Sequence, residues 1–354
     1  MRWWIALAIA WAPAVWAGPA EDLQASLNAA YSKKLFESAT LLVGRNEDVL
    51  LEVRAGTATK PDSRFDLASL TKPFATALSV HALIDQGKLS LDTRVSSVLP
   101  KFSGGLRDQV TIADLLSHQS GLPAGFALES LGGSASRYES VLTSLRPNRA
   151  PGVKSVYSDA GFQILGLVVE KISGLTLAQF AQSAIYGPLG LTRTGYDPKD
   201  SRPAFDCGGC APKPHDPIAR FMYPRSIGHA GLYSSAPDLA QILRMLLRHG
   251  KTANGETVLS EASVDRLLKP YGVGVRSLGF DLTSEYSTSP RGEIFPFGTS
   301  FGHTGYTGTS VWADPSSGKF VILLTNRVYR SDSDASKKAM SALRKAVATL
   351  AAQL

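Results

Sequence analysis

The sequence lacks several features that mark common classes of protein. It has no internal repeats and no low-complexity tract, so we expect neither a repeat architecture nor a disordered chain. The lysines and arginines give a net charge of +7 but are scattered, with no basic run of the kind that binds nucleic acid. We therefore expect no nucleic-acid partner and attribute the charge to solubility.

Cysteine is also scarce. The only two cysteines, Cys207 and Cys210, form a single C-x-x-C motif. A zinc site at this motif would need two more ligands, and His215 is the only candidate close in sequence, so we expect no metal and no cofactor. In an exported protein this spacing favours a local disulfide or two free thiols over a redox site.

The chain has one long apolar run, Trp3 to Trp16, which follows an N-terminal arginine. With small or apolar residues at its end, this pattern predicts that residues 1–17 are a secretory signal peptide and that the mature chain begins near Gly18. A membrane anchor is the alternative, but the run is short for a bilayer span and contains Pro13. We therefore expect a soluble periplasmic protein, or one released or held at the envelope surface.

Hydrophobic periodicity predicts an α+β fold. A helix and then a hairpin of two strands, Thr40–Gly44 and Val49–Arg54, open the chain. The middle is mainly helical, and strands with a final helix close the chain. We predict one antiparallel sheet, built from residues 18–65 with 225–354 and flanked by the terminal helices. A mainly helical lobe, residues 66–224, is inserted between them.

Three segments give more detailed expectations. The pattern predicts a continuous helix from Ser69 to about Gln86. A segment rich in Pro, Gly and Asp, from about Asp197 to Pro224, predicts a long loop. An apolar run predicts a strand at Val273–Ser277.

The sequence S-L-T-K at residues 69–72 opens the predicted helix. Residues three apart lie on one helix face, so the Ser69 hydroxyl and the Lys72 ammonium come within reach of each other. The N–H groups and dipole at a helix N-terminus favour a developing negative charge, and such a setting can activate a weak nucleophile. A capping serine beside a solvated lysine would also explain the motif by itself.

Two later segments could accompany this motif. Tyr157-Ser158-Asp159 lies where a loop becomes a helix, although a surface tyrosine and a capping serine would give the same pattern. Residues 301–310, F-G-H-T-G-Y-T-G-T-S, contain glycines that let the backbone approach a ligand closely. Alone, this segment could be a glycine-rich turn with a half-buried histidine at its start.

Together, and in this order, the three segments resemble the signature of the serine β-lactamase and penicillin-binding protein superfamily, S-x-x-K, S-D-N and K-T-G. The tyrosine version is similar to the Y-x-N of class C β-lactamases, DD-peptidases and related esterases. Stretches at residues 65–73, 115–122 and 228–234 are also similar, so the resemblance covers about residues 41–327. It implies a β-lactamase/transpeptidase-like fold with the active site between the sheet and the helical lobe.

The resemblance also implies a mechanism. Ser69 would attack a carbonyl carbon to form an acyl-enzyme, while Lys72 and Tyr157 share the handling of the proton. The oxyanion hole would consist of the backbone N–H groups of Ser69 and Tyr306. Because a neutral tyrosine is a poor base, we expect Lys72 to lower the pKa of Tyr157. Glu170, inside an apolar helix pattern, is interpreted as structural.

Asp159, His303, Thr304 and Gly305 occupy positions that the resemblance implies are substrate-binding, and two of them depart from the family pattern. An ionised Asp159 in place of asparagine cannot donate a hydrogen bond to a substrate, and we hypothesise that it pairs with Lys72. His303 replaces a permanently charged lysine. We therefore expect weak β-lactamase activity at best, improved by His303→Lys or by mildly acidic pH.

The predicted function is that of an exported acyl-serine hydrolase, either a D-Ala-D-Ala carboxypeptidase or an endopeptidase on peptidoglycan peptides. An esterase on small acyl esters is the alternative: export favours the peptidase, whereas Asp159 and His303 favour the esterase. A wall-binding or penicillin-sensing protein that does not hydrolyse its ligand is disfavoured, because the whole catalytic set is present. A transferase acting on D-amino-acid esters would use the same residues.

Overall fold

The computed structural model describes residues 18–56, 59–206, 208–209, 211–274, 276–282, 295 and 299–354. The predicted signal peptide, residues 1–17, and the pair Cys207 and Cys210 lie outside the described residues.

Two antiparallel sheets are formed within this described part. Their strands are β1 (Ser38–Arg45), β2 (Asp48–Gly56), β3 (Phe65–Asp66), β4 (Tyr233–Ser234), β5 (Phe301–Thr304), β6 (Ser310–Asp314) and β7 (Lys319–Thr325). The larger sheet has the order β2-β1-β7-β6-β5, and the smaller one pairs β3 with β4. Because β1 pairs with β7, the first and last parts of the chain share one sheet.

The α-helices of the described residues lie before, between and after these strands. They are α1 (Pro19–Ser32), α2 (Leu78–Asp85), α3 (Val95–Val98), α4 (Ile112–Leu116), α5 (Tyr138–Ser144), α6 (Asp159–Ser173), α7 (Leu177–Ala181), α8 (Pro217–Met222), α9 (Ala236–Leu247), α10 (Glu261–Leu268) and α11 (Asp334–Ala351). The predicted α+β fold, with its antiparallel sheet and terminal helices, is confirmed. The boundaries of the two lobes stay a prediction.

Both faces of the larger sheet are covered. Alternate side chains of each strand point to opposite faces, so each strand contributes to two packed layers. Leu41 of β1 packs in a cluster with Leu27 of α1 and Val347 of α11. Leu42 and Ile322, on the other face, belong to the main core that is shared with the central helices. Burial on both faces explains why β1 is a nearly continuous apolar run rather than an alternating one.

The predicted continuous helix from Ser69 to Gln86 is interrupted, and this part of the prediction was wrong. A 3₁₀ turn at Ala68–Leu70 is followed by a π-helical segment, Lys72–Ala77, and only then by α2. Pro73 lacks an N–H for the regular helical ladder, and wider π turns of this kind recur at functional sites. The irregular segment contains Lys72, whose side chain is fully buried.

Two other local predictions also need correction. The segment Val273–Ser277 is not a strand in its described residues, because Gly274 has a φ of 93°, a conformation that strands do not use. The predicted long loop from Asp197 to Pro224 contains α8. Asp216 caps this helix by accepting a hydrogen bond from the Ala219 N–H, at 2.7 Å, and proline follows as the first helical residue.

None of the helices in the described ranges is both long and apolar enough to cross a membrane by itself. The pair Asp159–Ser173 and Leu177–Tyr186 meets that test only jointly, across a bend of 73°.

Candidate active site

Ser69 and Lys72 lie in the irregular segment that directly follows β3. Lys72 Nζ donates hydrogen bonds to Ser69 Oγ, at 3.0 Å, and to the carbonyl oxygen of His229, at 3.1 Å. Ser69 sits in the first helical turn, where backbone N–H groups have no acceptor within the helix. The hydroxyl is thus held by a buried cation, next to the Ser69 N–H, which donates no hydrogen bond within the described residues.

The residue before the serine has a strained backbone. Ala68 has a φ of 47°, which residues with a side chain rarely adopt. Asp66 stabilises this conformation, because its Oδ1 accepts a hydrogen bond from the Ala68 N–H at 2.8 Å. Burial raises the pKa of Asp66 to about 6, although the N–H groups of His215 and Ala68 work in the opposite direction.

Asp159, the first residue of α6, forms an ion pair with Lys72. Its Oδ1 lies 2.7 Å from Lys72 Nζ, as the hypothesis from the sequence requires. Burial works against both charges. Even so, Asp159 and then Tyr157 hold the pKa of Lys72 above its usual value, and Lys72 followed by His229 holds the pKa of Asp159 below its own. The lysine is therefore a charged ammonium in the free protein.

Tyr157 precedes Ser158, the residue that caps α6, and its ring is packed on several sides. The ring stacks on the His118 imidazole, with 4.6 Å between ring centroids. Lys72 Nζ lies 4.8 Å and the Arg276 guanidinium carbon 5.4 Å from the tyrosine ring centroid. Burial raises the pKa of Tyr157, and Lys72 lowers it as expected; the effect of burial is the larger, so in the free protein the pKa lies above its usual value.

His118 lies in the similar stretch at residues 115–122, and no role was predicted for it. In the structure it contacts the segment that carries Tyr157. Its carbonyl oxygen accepts from the Val156 N–H at 2.8 Å, and its Nδ1 accepts from the Ser158 N–H at 3.0 Å. These bonds hold the backbone on both sides of Tyr157, while the imidazole stacks on the tyrosine ring. His118 itself has a φ of 59°, a conformation that asparagine, aspartate and histidine tolerate best.

His303 lies on β5 rather than in a turn, and it is buried beside Tyr157. Its Nδ1 lies 2.8 Å from the carbonyl oxygen of Thr304. Burial lowers the pKa of His303 to about 4; the charges of Lys72 and Arg276 add to this effect, and Asp281 opposes it. The imidazole is therefore neutral from pH 7 down to about pH 5. The expectation that mildly acidic pH would supply a cation here needs correction.

The turn between β5 and β6 carries the second predicted oxyanion donor. The Tyr306 N–H donates no hydrogen bond within the described ranges. A cavity of about 500 Å³ opens between this turn and Ser69. It is lined by Ser69, Ala124, Val156, Tyr157, Arg276, Asp281, His303, Thr304, Gly305, Tyr306, Arg327, Lys337, Met340 and Arg344.

The structure thus brings together Ser69, Tyr157, His303, Thr304, Gly305 and Tyr306 around one cavity, with the pair of Lys72 and Asp159 behind it. Arg276 is a lining residue that the sequence did not reveal, because the segment around it was read as an ordinary strand. Its guanidinium is paired with the buried carboxylate of Asp281. Arg276 places a permanent cation beside His303.

A metal site has no support from the described residues, in which no three His, Cys, Asp or Glu side chains are grouped so as to hold an ion. Histidine and carboxylate do pair once near the site, where His229 Nε2 lies 3.3 Å from Asp216 Oδ2. His229 is linked to the cluster through its carbonyl oxygen, which accepts from Lys72. The groups gathered at the site are the hydroxyl of Ser69, the ammonium of Lys72, the phenol of Tyr157 and backbone N–H groups.

Known proteins resemble this chain in sequence and in fold. The chain is 30% identical over 338 residues to an N-acetylmuramyl-L-alanine amidase of Bacillus subtilis, covering 84% of this chain and 73% of that protein. It is 27% identical over 359 residues to a putative D-alanyl-D-alanine carboxypeptidase of Escherichia coli, covering 85% and 81%. A penicillin-binding protein homologue from Caulobacter crescentus has the same fold, with a TM-score of 0.73, 19% identity, and coverage of 93% of this chain and 97% of that one.

The family model described as Beta-lactamase matches residues 26–344, which is most of the chain and includes every site residue named above. This protein therefore belongs to the β-lactamase family, within the serine β-lactamase and penicillin-binding protein superfamily, and is a serine hydrolase that acts through an acyl-enzyme.

Proposed function

We propose that this protein is a DD-carboxypeptidase that removes the terminal D-alanine from peptidoglycan peptides. The observation that carries the proposal is the Arg276 guanidinium, which lines the same cavity as Ser69. A guanidinium is suited to bind a carboxylate through two parallel hydrogen bonds, and the substrate of such an enzyme ends in a carboxylate close to the bond that is cleaved. The name of the Escherichia coli relative supports the same substrate class.

In the proposed mechanism, Ser69 Oγ bonds to the carbonyl carbon and its proton passes to the pair of Tyr157 and Lys72. The C–N bond then breaks, and the departing amine takes up that proton. Water resolves the ester on Ser69 and regenerates the hydroxyl. Because Lys72 and Tyr157 are both protonated in the free protein, the reactive form is the one in which this pair has lost one proton.

We also propose that the protein is exported and acts in the periplasm. The basic and then apolar pattern of residues 1–17 supports export, and peptidoglycan is a substrate outside the cytoplasmic membrane. The mass of the mature protein tests this, since cleavage would leave a chain that begins near Gly18.

The release of D-alanine tests the substrate. We expect the protein to release D-alanine from a pentapeptide that ends in D-Ala-D-Ala, and to act at least about 10-fold more slowly on the same peptide with a C-terminal amide. The reason is that a charged hydrogen bond is worth about 1.5–3 kcal/mol, and the amide removes the charge that Arg276 would bind. Equal rates on the two peptides would contradict this role of Arg276.

A second candidate is an esterase on small uncharged esters, which a specific feature of the cavity favours. Asp281 neutralises Arg276, and His303 is neutral, so the cavity attracts a carboxylate less than a free cation would. Cleavage of p-nitrophenyl acetate without any release of D-alanine from the pentapeptide would support the esterase and refute the carboxypeptidase.

The absence of a positive charge on His303 is expected to limit the hydrolysis of β-lactams, which also carry a carboxylate. Because the pKa of His303 is about 4, nitrocefin turnover should not improve between pH 7 and pH 5.5 through protonation of this imidazole. His303→Lys should raise turnover about 10-fold at pH 7 by adding a charged hydrogen bond. His303→Gln, a neutral control, should leave it low, and an equal gain in both variants would show that charge is not the cause.

A further inference from the structure

The turn at residues 305–309, which carries the Tyr306 N–H, is held by two arginines from other elements. Arg344 of α11 donates from Nη2 to the carbonyl oxygens of Gly305, at 2.5 Å, and Thr309, at 2.8 Å. Arg327, which follows β7, donates from Nη2 to the carbonyl oxygen of Tyr306 at 2.8 Å. Guanidinium groups thus fix carbonyl oxygens at both ends of the turn.

Arg344 differs from Arg327 in its surroundings. Arg327 is paired with Asp332 at 3.2 Å, whereas no ion pair to Arg344 is found within the described ranges. Burial, together with the charge of Arg327, lowers the pKa of Arg344 to about 9, so the guanidinium remains charged near neutral pH. Because a buried cation without a carboxylate is unfavourable, its hydrogen bonds to backbone carbonyls are its main compensation.

The carbonyl that receives the shortest of these bonds belongs to a particular peptide unit. The Gly305 carbonyl and the Tyr306 N–H are the two ends of one planar amide. When a cation binds the carbonyl oxygen of an amide, it polarises the whole unit and makes the N–H a stronger donor. That N–H has no acceptor among the described residues, and Tyr306 lines the cavity together with Ser69.

The same turn is packed tightly against the segment that leads to Ser69. Thr307 Oγ1 donates to the carbonyl oxygen of Asp66 at 2.7 Å. A Cβ added to Gly305 would lie 2.4 Å from the carbonyl oxygen of Leu67, so the two backbones are in direct contact there. The position of the turn relative to Ser69 therefore depends on the contacts that hold the turn, and these include the hydrogen bonds from Arg344.

We infer that Arg344 is a positioning residue that aims and strengthens the Tyr306 N–H as an oxyanion donor, acting through the Gly305 carbonyl. The inference rests on the proposed function, in which an oxyanion forms on the carbonyl attacked by Ser69. It assigns to α11, far along the chain from the sequence motifs, a part in stabilising the transition state.

Variants of Arg344 test the inference with two readouts, which are the hydrolysis of p-nitrophenyl acetate and the affinity for phenylboronic acid. The boronic acid forms a tetrahedral adduct with a serine and mimics the transition state. Removing an oxyanion donor outright costs about 10²- to 10³-fold in kcat, so weakening one should cost about 10-fold. We expect Arg344→Gln to lower kcat per active site and boronate affinity by this same factor, with KM changed less than about twofold.

Lys338→Gln is the matched control, because it removes a positive charge from an exposed position on the same helix, and it should match the wild type in both readouts. Active sites are counted from the burst of p-nitrophenol, so that a loss of folded protein is not mistaken for slower chemistry. If Arg344→Gln does not fold, Arg344→Lys takes its place. Lysine keeps the charge but loses the planar fork, so both readouts should fall by about threefold.

Unchanged boronate affinity in the folded variant would overturn the inference, whether or not kcat falls. Failure of the proposed function would give different experimental results. Ser69→Ala would then hydrolyse p-nitrophenyl acetate as fast as the wild type, or the wild type would release no D-alanine. If the wild type releases no D-alanine, the role of Arg344 in ester hydrolysis is still decided by kcat for p-nitrophenyl acetate and by the affinity for phenylboronic acid.

Discussion

Ser69→Ala is expected to lower the hydrolysis of p-nitrophenyl acetate by about 10⁴-fold or more in kcat, since loss of the nucleophile in other serine hydrolases costs this much. Lys72 Nζ donates a hydrogen bond to the Ser69 hydroxyl at 3.0 Å, so the variant lacks the group from which the cluster takes the proton. The measurement is steady-state hydrolysis, together with mass spectrometry of the protein after incubation with a penicillin. The wild type should gain the mass of the acyl group, and the variant should not.

The fold should tolerate this change, because alanine removes one oxygen from a short helical turn and leaves the backbone as it is. The thermal midpoint should therefore stay within a few degrees of the wild-type value. Ser144→Ala, an exposed serine near the end of α5, is the matched control and should keep full activity. Wild-type hydrolysis by Ser69→Ala would show that another residue attacks the substrate.

Asp159→Asn is expected to shift the pH–rate profile to lower pH. The Asp159 carboxylate raises the pKa of both Lys72 and Tyr157, and the reactive form is the one in which this pair has lost one proton. Without the carboxylate the pair loses that proton at a lower pH. The rise of kcat/KM with pH should therefore move down by about one unit, since an opposite charge at this distance shifts a pKa by about 1–3 units and Asp159 is partly exposed.

The profile should be measured for wild type, Asp159→Asn and a control at the other carboxylate near the lysine, Asp216→Asn. Asp216 pairs with His229 and does not contact the Lys72 ammonium directly, so its replacement should move the profile less. A rise at the same pH in wild type and Asp159→Asn would contradict the role of the ion pair. A shift to higher pH would mean that the reactive form carries the extra proton rather than lacking it.

Much of the fold followed from local patterns. The strands β1, β2, β6 and β7 coincide with short apolar runs of the sequence, and the helices α1, α6 and α11 each bury an apolar face that repeats at helical spacing. The errors arose where one residue outweighed the pattern. Pro73 lies in the helix that became irregular, and Gly274 prevents a strand at Val273–Ser277. The Asp216 cap followed by proline starts a helix in the predicted loop.

Part of the site was predictable in the same way. Lys72 contacts Ser69 because the two residues are three positions apart in a helical segment, a spacing that the sequence shows directly. Tyr157 was predicted from its motif and from the start of α6. Residues whose role depends on distant partners were not predictable. Arg276 acts beside His303, and Arg344 binds a turn that lies about 35 residues earlier in the chain; no local pattern marks either contact.

The sequence by itself determined the reaction class of this protein, because a serine, a lysine and a tyrosine in a known order specify acyl-enzyme chemistry through their own functional groups. Only the tertiary structure decided the protonation states that control this chemistry. The neutral His303, the charged Lys72 and the protonated Tyr157 follow from burial and from charges that distant segments bring together. The physical reason is that the functional group of a side chain is fixed by the residue itself, whereas the free energy of its charge depends on everything packed around it.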